Sequence, residues 1–213
     1  MTNNHKSQPR ENQFLKHQNQ PSNSHHSGED VHDTHNSHDK TQPDTNSAEP
    51  CRYQFTHFDK KHIPELMEWF TSAHDVIFWS GFKFKYPFTT ESFIAQLKLR
   101  FISAYSLLSE DTQQLLGFGQ LMFDQGRCHL VRVAINPAFR QQGHGKMLLK
   151  SLCYQGYKRF NSEVFTLFVN KSNTAAVRLY QQYGFEISEY DDGPMPNDQS
   201  WYMVRKLYRS QRR

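Results

Sequence analysis

The sequence predicts one α/β domain carried behind a long polar extension. Three observations lead there: composition changes abruptly after Pro50, residues from Ser103 to Ile135 alternate with a period of two, and strand and helix patterns alternate from Gly143 onward.

The chain has 213 residues, of which 36% are hydrophobic, and a formal charge of +4. Both averages blend two unlike segments. Residues 1–50 contain Phe14 as their only aromatic, with Met1, Leu15, Val31 and Ala48 as the other apolar residues. So little apolar surface cannot offset an ordering entropy of roughly 1–2 kcal/mol per residue, so residues 1–50 are expected to be a disordered extension. Seven of the twelve His fall here (His5, His17, His25, His26, His32, His35, His38), and the segment carries −3 against +7 for the rest. Loosely spaced His without Cys or a rigid frame fix no coordination geometry, so no metal site is expected. A metal-responsive role for the extension is the weaker reading.

The remaining 163 residues suffice for one core, with the folded domain at 51–208 and a basic tail at 209–213. No stretch approaches the ~20 apolar residues of a membrane span, and the start lacks the layout of a secretory signal, so a cytoplasmic protein is expected. Cys51, Cys128 and Cys153 are widely spaced and form no Cys-x-x-Cys, which points to small core residues. The basic residues are scattered, so neither a nucleic-acid surface nor a membrane surface is expected.

Arg52 to Phe58 alternates polar and aromatic residues and reads as a first strand. Asp59 then caps a helix with Ile63, Leu66, Met67 and Phe70 on one face, where Pro64 is tolerated near the start. An aromatic stretch follows from Ile77 to Phe88, and Thr89 or Thr90 caps a helix through Phe93, Leu97 and Phe101. Residues 104–108, 115–123 and 128–135 form three strands joined by short polar turns, an antiparallel meander. Next come a helix at 143–156, a strand at 163–170 and a helix at 172–183 closed by Gly184 in the left-handed region. Strands at 185–190 and 201–207 complete the domain.

The most informative stretch runs Val133-Ala-Ile-Asn-Pro-Ala-Phe-Arg-Gln-Gln-Gly-His-Gly-Lys146. A β-branched strand is stopped by Pro137, and Arg140-x-x-Gly143-x-Gly145 opens a helix. Unpaired N–H groups at that start, the helix dipole, Arg140 and Lys146 together make an anion site suited to a phosphate or pyrophosphate. A nucleotide P-loop needs Ser or Thr after Gly145-Lys146, where Met147 stands. A dinucleotide fingerprint needs a third glycine, which is absent.

The stretch resembles the cofactor motif of the GNAT superfamily of acetyl-CoA-dependent N-acetyltransferases, Arg/Gln-x-x-Gly-x-Gly/Ala at the start of the helix after the fourth strand. A second motif of that family lies downstream, Val169-Asn170-x-x-Asn173-x-x-Ala176-x-x-Leu179-Tyr180-x-x-x-Gly184-Phe185. The resemblance covers residues 51–207 and is specific from Leu130 to Phe185. It implies the acyl-CoA N-acyltransferase fold: a mixed, mostly antiparallel sheet with helices on both faces, splayed at strands 4 and 5.

Carried over, the resemblance implies that Val133, Ala134 and Ile135 pair through their backbone with the pantetheine arm of acetyl-CoA. Arg140, Gln141, Gln142, Gly143, His144, Gly145 and Lys146 would wrap its pyrophosphate. Asn173 and Tyr180 stand two helical turns apart and share a face. The resemblance gives the Asn to the cofactor arm and the Tyr hydroxyl to the departing thiolate as general acid.

The acceptor amine must lose a proton before or as it attacks. Some members acting on proteins carry Glu four residues before the pairing tripeptide; here that position is His129, whose imidazole is expected to take the proton directly or through water. Trp79, Phe82, Tyr86 and Phe88 are candidates for the acceptor wall, equally readable as core and loop anchors. Gln120 and Arg132 are candidate substrate contacts by strand position. The expected activity is transfer of an acetyl group to an amine of a small molecule or protein, by a monomer or homodimer that needs no metal. The alternative is a silent acyl-CoA-binding regulatory module, against which intact Asn173 and Tyr180 argue.

Overall fold

The structure is a computed structural model that describes residues 52–81 and 84–207. The extension at 1–50, Cys51, Phe82, and the tail at 209–213 lie outside the described residues.

Strand β1 (Tyr53–His57) leads into a 3-10 turn at Lys60–His62, where Asp59 Oδ1 accepts from the Lys61 N–H at 3.0 Å. Helix α1 (Ile63–Glu68) follows, with Pro64 in its first turn where no N–H is needed. Helix α2 (Ala73–Ser80) runs into the start of the aromatic stretch at Ile77 and is not predicted by the sequence pattern. Its run Val76-Ile-Phe-Trp79 is apolar on every side and has strand-forming composition, so periodicity could not reveal it. The signal lay in its cap: Ser72 Oγ accepts from the Asp75 N–H at 3.1 Å, and Gly81 ends the helix at φ 73°.

Helix α3 (Thr90–Leu97) begins at a capping box in which Thr89 and Ser92 exchange side-chain bonds. It ends sooner than the sequence suggested. Lys98 turns into the left-handed region, and Phe101 lies beyond the helix, 86% exposed.

Strands β2 (Ser103–Ser109), β3 (Leu115–Asp124) and β4 (Arg127–Ile135) form the expected meander. Helix α4 (His144–Phe160), β5 (Val164–Asn170), α5 (Thr174–Gln182), β6 (Glu186–Ser188) and β7 (Ser200–Lys206) follow. The sheet order is β1-β2-β3-β4-β5-β7-β6, antiparallel except for the parallel pair β4 and β5.

Two cores flank this sheet. Leu148, Leu149, Leu152 and Cys153 of α4 and Tyr180 of α5 pack with Leu121, Leu130, Phe165 and Leu167. On the opposite face, Leu66, Val76, Phe93 and Leu97 from α1, α2 and α3 pack with Leu108, Leu115 and Phe118. Cys128 and Cys153 are buried free thiols, each pushed up to about 12 by desolvation, which fits their expected place as core residues.

Two irregularities shape the centre of the sheet. The β4–β5 register runs from Arg127 opposite Val164 to Leu130 opposite Leu167 and stops, so residues 131–135 of β4 have no partner on that side. This is the expected splay. In addition, Phe118 faces Ala134 while Gln120 faces Val131, so Arg132 and Val133 share one partner, Gly119, in a bulge where Arg132 adopts φ 52°. A Cβ at Gly119 would lie 2.6 Å from Leu152 Cδ1, so only glycine lets α4 seat against the bulged pair. Cys128 and Leu130 point into the α4 core before the bulge, and Val133 and Ile135 pack against it afterwards.

Candidate functional site

The turn between β4 and α4 holds the Gly-rich motif. Asn136 Oδ1 accepts from the Ala138 N–H at 3.1 Å and Asn136 Nδ2 donates to the Leu115 carbonyl at 3.0 Å, fixing the exit of β4. Gln141 and Gly143 take positive φ of 63° and 83°, which turns the chain into the first residue of α4. Lys146 and Met147 both donate their N–H groups to the Gly143 carbonyl, at 3.1 and 3.3 Å, so it is the N–H groups of His144 and Gly145, the first two positions of α4, that are left to meet an anion. Gln141, Gln142, Gly143 and Lys146 are exposed at this end. Arg140 is exposed as well, its Nε donating to the Ile135 carbonyl at 3.4 Å. Gly145 has a packing role: a Cβ there would stand 2.9 Å from Leu179 Cδ2 of α5.

His144 departs from its six neighbours in the motif. Its ring is buried at 3% exposure, with Nδ1 3.1 Å from the Phe139 carbonyl, so it braces the turn from within. Only its backbone N–H belongs to the anion-facing set.

On α5, Asn173 is the helix cap, its Oδ1 accepting from the Ala176 N–H at 3.2 Å. The amide nitrogen donates to no described residue. Tyr180 is 8% exposed and packs edge-on against Phe185 with ring centres 5.9 Å apart, and its hydroxyl makes no hydrogen bond among the described residues. Burial pushes its phenol up to about 12, so the hydroxyl keeps its proton at neutral pH.

His129 and Arg132 lie on the face opposite α4. His129 Nδ1 is 2.8 Å from Thr166 Oγ1 of β5, and its ring meets Phe168 edge-on at 5.3 Å. Desolvation, with a smaller contribution from Arg127, pulls the imidazole down to about 4, so it is neutral at physiological pH. Phe168, Tyr190 and Tyr202 form a mutual aromatic cluster beside it. Arg127 pairs with Asp191 and Asp192 and ties the start of the β6–β7 loop to β4.

Arg132 Nη1 donates to Gln120 Oε1 at 2.6 Å, and Gln120 Nε2 donates to the Leu97 carbonyl at 2.9 Å. The Arg132 guanidinium sits over the Phe84 ring, 5.6 Å from its centre. Trp79 packs against the same ring and is stacked on Phe70 at 4.1 Å. Tyr86, by contrast, is exposed, its hydroxyl donating to the Thr71 carbonyl at 2.8 Å, and Phe88 packs into the aromatic core. The structure thus gathers Gln120, Arg132 and Trp79 around Phe84, and leaves Tyr86 at the rim. Sequence reading missed Phe84, Thr166 and Phe168, because the parallel β4–β5 register and the bulge that aim them cannot be read from local pattern.

Residues 63–185 match the acetyltransferase (GNAT) family. The chain belongs to that family. This GNAT protein is 29% identical over 102 residues to the [ribosomal protein bS18]-alanine N-acetyltransferase of Salmonella typhimurium, a match covering 47% of the chain and 65% of the relative. It is 30% identical over 78 residues to N-alpha-acetyltransferase 20 of Dictyostelium discoideum, covering 37% of the chain and 45% of the relative. The chain therefore spans about half to two thirds of the length of these relatives. Among solved structures, spermidine N-acetyltransferase from Vibrio cholerae in complex with CoA and spermine superposes with a TM-score of 0.57 at 13% identity, covering 72% of this chain and 95% of that one. That likeness is one of fold. Among the described residues no cluster of His, Cys, Asp or Glu could hold a metal ion, and no helix is long and apolar enough to cross a membrane.

Proposed function

We propose that this GNAT protein is an N-acetyltransferase that moves the acetyl group of acetyl-CoA to a primary amine of a small-molecule or protein acceptor. One observation carries the reading: β4 runs past the end of its pairing with β5, presents an unpaired edge at Val133, Ala134 and Ile135, and leads directly into the Gly-rich start of α4. An extended amide-bearing arm can add to such an edge as a further strand. The named relatives' N-acetyltransferase activities and the CoA complex of a structural neighbour support the assignment.

Acetyl-CoA would supply an activated thioester carbonyl. Val133, Ala134 and Ile135 hold its arm by backbone hydrogen bonds, and the first N–H groups of α4, with Arg140 and Lys146, meet the pyrophosphate. Gln141, Gln142 and Gly143 shape that turn, and Asn173 offers its free amide nitrogen to the arm. The amine nitrogen bonds to the acetyl carbon as the carbon–sulfur bond breaks. Tyr180 donates its phenolic proton to the leaving sulfur and is reprotonated from solvent, work typically worth about 10²–10⁴-fold in rate. The amine's own proton passes through His129 or its water to solvent. An imidazole held near 4 releases a proton at once at neutral pH, so His129 acts as a relay and not as a store.

A mass-spectrometric screen of cell extract and peptide pools incubated with acetyl-CoA tests the assignment. Products heavier by one acetyl group, absent with Tyr180→Phe, are expected; acetyl-CoA binding without any acetylated product would return the protein to the silent binding module.

A further inference from the structure

Among the described residues, Arg132 is a cation without an anion: no carboxylate pairs with it, and its one hydrogen bond is Nη1 to Gln120 Oε1. Its Nε is buried and has no acceptor among the described residues. Gln120 is fully buried, and its amide is oriented by the Leu97 carbonyl, so the guanidinium is held by a neutral partner over the Phe84 ring. Trp79 Nε1, packed on that same ring system, is a second buried N–H with no acceptor. Burying a charge and two donors unmatched is costly, and a ligand that supplies the missing acceptor removes the cost.

The position narrows the ligand. Arg132 stands in the bulge within the unpaired stretch 131–135, directly before Val133, the first of the three residues proposed to pair with the cofactor arm. The Gly-rich turn that suits a pyrophosphate begins beyond the far end of β4, and three residues of strand alone span roughly 10 Å. An anion meeting Arg132 would therefore belong to the acceptor and not to the cofactor's pyrophosphate. A planar guanidinium with forked N–H groups matches a carboxylate. Acids on adjoining elements are engaged elsewhere: Asp191 and Asp192 with Arg127, and Asp75 with Ser72 and Thr71. The unmatched guanidinium thus suits an anionic acceptor.

We infer that Arg132 is a specificity residue that binds a carboxylate carried next to the acceptor amine, either the α-carboxylate of a free amino acid or an acidic side chain at the start of a peptide. This rests on the N-acetyltransferase reading above and names the substrate class for that site.

The test uses the full chain with acetyl-CoA and matched acceptor pairs: L-amino acids against their α-amides, and peptides beginning with Asp against the same peptides beginning with Asn. CoA thiol release and product mass are read for wild type, Arg132→Gln and Gln120→Glu, with acetyl-CoA affinity measured separately by calorimetry. Wild type should prefer the acid of a pair by about 10- to 100-fold. The preference should collapse in Arg132→Gln while acetyl-CoA affinity holds, which excludes a folding defect. Gln120→Glu supplies an internal carboxylate partner for Arg132 and should lower the preference for the acid of each pair. A preference seen with free amino acids identifies an α-carboxylate; one confined to Asp peptides identifies a side chain. Equal turnover of acid and amide, or a preference that survives Arg132→Gln, overturns the inference. If acetyl-CoA binds and no acceptor of either kind turns over, the CoA-loaded protein is titrated with the N-acetylated pairs, and equal affinity or no binding overturns it likewise. Loss of acetyl-CoA binding itself is the separate signature of failure of the parent reading.

Discussion

His129 Nδ1 and Thr166 Oγ1 lie 2.8 Å apart across directly opposed residues of β4 and β5, one residue before the two strands part. The bond ties the last paired rungs of the sheet to the point where the proposed cofactor edge begins. It also places a desolvated imidazole in the structure, with consequences for stability and for rate.

Stability should fall in mild acid through this group. Its folded value of about 4 is below the ordinary value of 6.5, so the unfolded chain binds the proton more readily. The contribution is complete above about pH 6.5 and is lost as pH falls toward 4, up to roughly 3 kcal/mol. Urea unfolding at pH 7.5 and 4.5 should show about 2–3 kcal/mol more loss in wild type than in His129→Gln.

The rate should report a relay. Because His129 stays neutral from about pH 5 upward, kcat/KM should show no inflection near 6.5 and should rise toward the pKa of the acceptor amine. His129→Ala should lower kcat by about 10- to 100-fold without changing the KM for acetyl-CoA. An inflection at 6.5 that disappears in the variant would contradict this.

The two glycines at the start of α4 should fail differently. Gly143 has open space around it but φ 83°, so Gly143→Ala should cost about 1–2 kcal/mol through the backbone alone. Gly145→Ala drives a Cβ to 2.9 Å from Leu179 Cδ2 and should cost about 1–3 kcal/mol while displacing α5, and with it Tyr180. Denaturation curves give the costs, and kcat separates the two: only Gly145→Ala should reduce it beyond its effect on acetyl-CoA affinity.

The meander, the β4-turn-α4 unit and the closing strands were legible because each has a clean period and punctuation at Pro137, Gly143 and Gly184. Helix α2 was not, since its apolar run around Val76 to Trp79 has no polar face to reveal a turn. The overlong reading of α3 placed Phe101 on its face because spacing alone does not show that Lys98 leaves the helical region. Within the candidate site, the motif residues were found in order along the chain, but the inward turn of His144 depends on the Phe139 carbonyl, and the setting of Arg132 depends on a bulge opposite Gly119. Both are tertiary facts with no local signature. The sequence pattern also places Asn173 inside a helix at 172–183, whereas in the structure it caps one that begins at Thr174.

The central claim, acetyl transfer with Tyr180 as the acid, is tested most directly by CoA thiol release from acetyl-CoA across an amine panel, with wild type and Tyr180→Phe side by side and acetyl-CoA affinity measured for both. Wild type should release CoA in step with N-acetylated product, and Tyr180→Phe should bind acetyl-CoA equally well while losing about 10²–10⁴-fold in rate. Equal rates for the two proteins, or binding with no CoA release by wild type, would contradict the account.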